Sequence, residues 1–96
     1  MSRDIVEARI EEELVRRAKR MGFTTYKLDK IPGTRDNPDQ LLINADRVCV
    51  HVEVKRFKMD PRPSQLAKHR ELRRRGQHVA IIDRISQIDP LLEAYV

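Results

Sequence analysis

Val6, Ile10, Leu14, Ala18 and Met21 recur at three- and four-residue intervals, a spacing that lines one side of a helix. The helix is predicted over Arg3 to Met21, with Gly22 as its C-terminal stop. The period then changes. Phe23 to Leu28 reads as a first strand, and residues 29–37, with Pro32-Gly33 at their centre, as a loop. Pro38 to Ile43 and Val48 to Arg56 read as two further strands joined by a tight turn at Asn44-Ala45-Asp46-Arg47. Lys58 to Pro63 is a proline-bearing connection. Ser64 is placed to cap a helix over Gln65 to Arg75 that stops at Gly76. His78 to Asp83 is a fourth strand, and Ile85 to Tyr95 a last short helix with Pro90 in its first turns. The order is α-β-β-β-α-β-α within one domain spanning residues 1–96. The second and third strands form an antiparallel hairpin. The third and fourth are joined across a helix, which favours a right-handed parallel crossover. The fold class is therefore α/β, a small mixed sheet flanked by helices.

The exceptions to this pattern carry the chemistry. Along the third strand Val48, Val50, Val52 and Val54 share one face, and Cys49, His51, Glu53 and Lys55 the other. A strand covered by helices on both sides is normally apolar on both faces. Taken alone, Glu53 and Lys55 read as an end-of-strand ion pair reaching solvent. Counting back through a turn centred near Asp46 puts Asp39 opposite Glu53, with Cβ atoms about 5 Å apart. Two carboxylates at that range repel unless a proton or a cation lies between them. A one-residue slip would send them to different faces. A hard divalent cation such as Mg²⁺ is the other resolution.

Both helices repeat the anomaly. Glu7 and Glu11 fall inside the apolar stripe of the first helix, while Glu12 points away and Glu13 lies at its edge. A protruding first turn, where glutamate is favourable, accounts for Glu7 as well as function does; for Glu11 function is the better account. In the second helix Gln65, His69 and Leu72 share the stripe that packs on the sheet, so Gln65 and His69 must find partners there. His69 reads as a structural polar group. Gln65, at the helix start near the Glu53/Lys55 end of the strand, reads as part of a site.

Composition adds a partner class. The 96 residues are 36% charged and 40% hydrophobic, with a formal net charge of +5 and a pI near 9.8. A basic domain of this size suits a polyanion. Aromatics make up only 4% and Trp is absent, which points to backbone phosphate contacts ahead of base stacking. Candidate contacts are Lys30, Arg35, Arg56 and Lys58 in the loops, Arg62 before the second helix, and Lys68 and Arg73 on its outer faces. Such a helix face is also the ordinary solvated kind. The single cysteine, Cys49, has no intrachain partner and reads as a small hydrophobe in a reducing compartment. Residues 1–20 are charged throughout and no apolar run reaches membrane-spanning length, so a cytoplasmic protein without membrane association is expected.

Pro38-Asp39, thirteen intervening residues and Glu53-Val54-Lys55 resemble the PD-(D/E)XK nuclease signature. The wider series IEEELVRRAKRMGFTTYKLDKIPGTRDNPDQLLI, then VEVK, then PRPSQLAKHRELRRRGQHVAIID, resembles the VRR-NUC family, the virus-type replication-repair nucleases, over about Ile5 to Ile88. The resemblance implies a restriction-endonuclease-like fold and a homodimeric, Mg²⁺- or Mn²⁺-dependent endonuclease on branched DNA such as Holliday junctions. It further implies that Asp39, Glu53 and the backbone carbonyl of Val54 bind the metal, with Glu11 reaching it directly or through water and Glu7 as its substitute. Lys55 would address the attacking water, and Gln65 would orient the lysine or the phosphate. Family members that stand alone resemble phage proteins, which would place this one in a bacterial host cytoplasm. The family usually has glycine two residues before the proline, as in G-x-P-D; here that position is Asp36, in Asp36-Asn37-Pro38-Asp39. Two other readings stay open: a monomeric flap or single-strand nuclease, and a module that binds DNA without cutting it. The apolar tail Leu91, Leu92, Ala94, Tyr95 and Val96 is a candidate dimer contact or a piece of the subunit core.

Overall fold

The computed structural model describes residues 3–29, 31–33, 35–46 and 48–96, with side chains from Glu7 onward. Its elements are α1 (Arg3–Arg20), β1 (Thr24–Lys27), β2 (Gln40–Ile43), β3 (Cys49–Val54), α2 (Pro63–Arg74), β4 (His78–Ile82) and α3 (Ile88–Glu93), the last preceded by a 3₁₀ turn at Ile85–Gln87. The strands form one sheet in the order β1-β2-β3-β4. The pairs β1–β2 and β2–β3 are antiparallel, and β3–β4 is parallel across α2, the expected mixed topology.

One face of the sheet carries the apolar core. Ile10, Leu14 and Ala18 of α1 pack with Leu42, Val50, Val52 and Val54 of the sheet and with Ile88 and Leu92 of α3. Arg17 of α1 reaches Asp89 of α3 at 3.2 Å and ties the two helices at their rim. Met21, expected on the same stripe, is 38% exposed. The helix ends one residue before it, and the chain turns away at Gly22, whose φ of +93° suits glycine. The side chain of Val6 lies outside the described residues.

Three local expectations change. Helix α2 starts at Pro63 with Arg62 as the flanking residue, so Ser64 is inside the helix and does not cap it. Proline is preorganised for a first helical position, and the Gln65 side chain supplies the cap instead, its Oε1 accepting the Arg62 N–H at 2.8 Å. The last helix is split because Pro90 has no N–H to continue an α ladder begun at Ile85, leaving a tighter 3₁₀ turn ahead of it. The C-terminal tail divides between the core and the surface, where Ala94 is exposed and Val96 is 69% exposed. Leu92 is fully buried, Leu91 and Tyr95 pack against the core, and the Tyr95 ring meets His78 edge-on at 5.1 Å. Among the described residues no helix is long and apolar enough to cross a membrane.

Candidate active site

The β2–β3 register pairs Gln40 with Val52 and Leu41 with His51. One step further along the same ladder sets Asp39 beside Glu53, on the face opposite the valine core. Main-chain groups fix Asp39 from both sides. Its Oδ2 accepts the Val54 N–H at 2.6 Å, and its carbonyl accepts the Leu28 N–H at 3.0 Å. The strand end thus becomes a rigid mount for an acid, which a loop would not provide.

Helix α2 covers this face with polar groups. Gln65 and His69, one turn apart, are 6% and 0% exposed, over a Glu53 that is 2% exposed. His69 Nε2 lies 3.2 Å from Glu53 Oε1, and Gln65 Nε2 donates to Oε2 at 3.4 Å. Gln65 therefore works with both ends of its amide, capping α2 with the oxygen and holding Glu53 with the nitrogen. The His69 Nδ1 atom is buried with no hydrogen-bond partner among the described residues.

Burial is the main reason both carboxyls hold protons unusually tightly. Asp39 is pushed up to about 7, chiefly by desolvation and further by the charge of Glu53, against the lowering effect of the Val54 amide. Glu53 is raised by the same desolvation and by repulsion from Glu7, while its hydrogen bond with Asp39 and the charge of Lys55 oppose the rise. His69 is lowered by burial first and then by Arg73 and Lys55, which keeps its imidazole neutral. Two adjacent acids that resist ionising together form a site whose charge a bound cation would complete.

Glu11 is engaged elsewhere. Lys27 and Gln40 pair across β1 and β2, and both reach Glu11 Oε2, at 2.7 Å from Lys27 Nζ and 2.6 Å from Gln40 Nε2. Its charge is felt at Asp39, whereas Glu7 is the α1 carboxylate whose charge acts on Glu53. The sequence reading missed Lys27 and Gln40. Gln40 carried a usable signal, a polar residue alternating with Leu42 on a core-facing strand.

A cleft of about 210 Å³ lies over Asp39, lined also by Asp29, Asp36, Asn37, Arg62 and Gln65. A wider one, about 360 Å³ between α1 and β1, holds Glu11 and Lys27 and is remote from Glu53 in its lining. The smaller cleft is the one that reaches Asp39 and Gln65. Asp36, at the position where the resemblance leads one to expect glycine, adopts the left-handed backbone with φ 59°. Its Oδ1 accepts the Ser64 hydroxyl at 3.1 Å and lies 3.7 Å from Arg62 Nη2, fastening the loop to the start of α2.

The donor set fits a hard divalent ion better than zinc. Asp39 and Glu53 offer carboxylate oxygens, Val54 is the neighbouring source of a carbonyl, and among the described residues no three of His, Cys, Asp and Glu converge as a cluster. Ions of the Mg²⁺ type bind through one or two carboxylates and keep several waters, whereas structural zinc takes four protein ligands. Of the candidate phosphate contacts, Arg35, Lys58, Arg62 and Arg73 are exposed and Arg56 and Lys68 half-buried; Lys30 lies outside the described residues. Lys68 sits 3.7 Å from Glu71, and Arg73 donates to the Val79 carbonyl at 3.1 Å.

A solved structure described as a VRR_NUC domain is similar to this chain, with a TM-score of 0.85 and 33% sequence identity over 94% of this chain and 97% of that one. No family model and no curated protein matches the chain.

Proposed function

The chain belongs to the VRR-NUC family, and from that membership we propose that it is a divalent-metal-dependent endonuclease of the PD-(D/E)XK type, cutting branched DNA, Holliday junctions above all, as a homodimer. The observation that carries this reading is the pairing of half-buried Asp39 with buried Glu53 across the β2–β3 ladder, with Asp39 pushed up to about 7 and Lys55 two residues along the same strand. A structural ion pair between Glu53 and Lys55 would need no second acid beside it.

Asp39, Glu53 and the Val54 carbonyl would hold the metal, Mg²⁺ or Mn²⁺. When bound, it acidifies a water and neutralises charge gathering on the phosphate. The chain's own groups do the rest. The Val54 N–H holds Asp39, and Gln65 and His69 hold Glu53, so neither carboxylate has to search for its geometry. Lys55 stands on the Glu53 face and carries the positive charge that orients the attacking water and the scissile phosphate. Of the two α1 carboxylates, Glu7 takes the supporting role in preference to Glu11, because it is the one whose charge acts on Glu53. Phosphate contacts from Arg35, Arg56, Lys58, Arg62, Lys68 and Arg73 position the backbone without reading sequence. A dimer would present two sites related by a two-fold axis, which suits paired cuts in a four-way junction.

The test is a set of labelled DNAs (four-way junction, flap, splayed arm and blunt duplex) incubated with Mg²⁺ or Mn²⁺ and wild-type or Lys55→Ala protein. Junction cleavage by wild type alone is expected. Equal cleavage of every DNA would remove the structure-selective part, and binding without cleavage of any would leave a DNA-binding module. Native mass spectrometry decides between dimer and monomer.

A further inference from the structure

Immediately after Lys55 the chain makes a tight turn, the Met59 N–H donating to the Arg56 carbonyl at 2.9 Å. Phe57 occupies its second position. Lys58 occupies the third with φ 64°, a left-handed backbone for which such turns ordinarily use glycine. Asp83, just past the end of β4, holds this arrangement. Its Oδ2 accepts the Lys58 N–H at 2.9 Å, and its carboxylate grips Arg84 at 2.8 and 3.3 Å. Arg84 in turn lies over the Phe57 ring, 4.7 Å from its centroid, and the Lys58 ammonium is 5.4 Å away.

The ring nevertheless stays 48% exposed, while the other phenylalanine, Phe23, is 4% exposed in the core. A strained residue, a buttressing carboxylate and two cations thus serve to hold an aromatic ring out in solvent. Two residues of chain reach no more than about 7 Å, so Phe57 sits within one such step of Lys55.

We propose that Phe57 is a stacking platform for a nucleobase whose face is left unstacked at the branch, next to the scissile phosphate, with Lys58 and Arg84 taking the adjoining backbone charge. The proposal rests on the nucleic-acid reading above and gives it a source of structure selectivity. Stacking on a protein ring requires a base face that is not already covered, which a continuous duplex lacks and a strand end or branch point supplies. Aromatic rings accept any base in this way, and neighbouring cations reinforce the contact.

The experiment uses 2-aminopurine, a base whose fluorescence dims on stacking, placed in turn at each position flanking the branch of a flap or splayed arm. It is run in EDTA, so that binding is read without cleavage. Wild type and Phe57→Tyr should dim the same single position. Phe57→Leu, apolar but unable to stack, should abolish the dimming and weaken binding to the branched DNA about tenfold, leaving blunt-duplex binding unchanged. Equal melting temperatures for the three proteins exclude a folding defect. The proposal is overturned if wild type dims no position, if Phe57→Leu dims as wild type does, or if the duplex loses affinity equally. Dimming by a wild type that cuts nothing in Mg²⁺ would sink the nuclease reading and sustain this one. Unaltered dimming by Phe57→Leu alongside normal wild-type cleavage would do the reverse.

Discussion

On one side of the sheet Val50, Val52 and Val54 press against Ile10, Leu14 and Ala18; on the other, Glu53 of the same strand lies under Gln65 and His69. Both faces are equally shut off from water, yet they do opposite things to stability. The apolar face gains by the area it removes from solvent. The polar face gains little, because burial penalises the ionised form of its acids and its hydrogen bonds only replace those once made to water. A six-residue strand therefore holds the molecule together with its even-numbered positions and mounts its chemistry at Glu53 on its odd ones. Rigidity for the site comes from the valines behind it.

The sharpest way to separate the faces is to remove charge from the polar one. Glu53→Gln should lower Mg²⁺-dependent cleavage by roughly 10³-fold while leaving the melting temperature unchanged or higher, since a carboxyl that resists ionising is replaced by a neutral amide. A lower melting temperature would mean that Glu53 is structural after all. The converse is Leu42→Ala on the apolar face. It should cost about 3 kcal/mol by urea unfolding, with the activity of the remaining folded fraction intact.

His69→Leu tests the border between the two faces. Glu53 Oε1 would lose its partner in a buried setting, a loss of about 2 kcal/mol, and metal affinity should fall with it by roughly tenfold. Isothermal titration in Mg²⁺ and urea unfolding read the two effects separately. Proton linkage gives a subtler comparison. Asp39 is raised from 3.8 to about 7 in the folded protein, so its contribution to metal-free stability is complete below about pH 4 and is lost as pH climbs through 7. Metal requires the ionised form. Mg²⁺ affinity should therefore strengthen at least tenfold per pH unit between about 5 and 7, with one proton released from Asp39 and a further one wherever Glu53 is still protonated. A flat profile would mean that Asp39 is not a ligand. The smallest effect is expected at Arg35→Ala, which should weaken binding to all DNAs alike and flatten the salt dependence by about one ion.

The site's centre was legible in the sequence because strand arithmetic is strict. Alternation sorted Glu53 from Val54, and a count around the turn brought Asp39 to Glu53 without any knowledge of tertiary structure. The fold order followed from the same periodicities. What escaped were contacts set by partners distant in the chain. Glu11 falls on the core-facing stripe as expected, but its engagement depends on β1 meeting β2 in the register that pairs Lys27 with Gln40, and nothing local announces it. His69 had two readings until Glu53 was seen beside it. Ser64 has the right chemistry for a cap; Pro63, one residue earlier, starts the helix before it, and Asp36 claims its hydroxyl.

That last contact reaches beyond the loop itself. A glycine in the place of Asp36 would adopt the left-handed backbone at no steric cost, but would lose the contacts with Ser64 and Arg62 that fasten this loop to the start of α2. With the aspartate, loop and helix share a clasp, so their amides should exchange hydrogen in one concerted opening. In a glycine variant the loop would breathe on its own schedule, well before the first turn of the helix lets go.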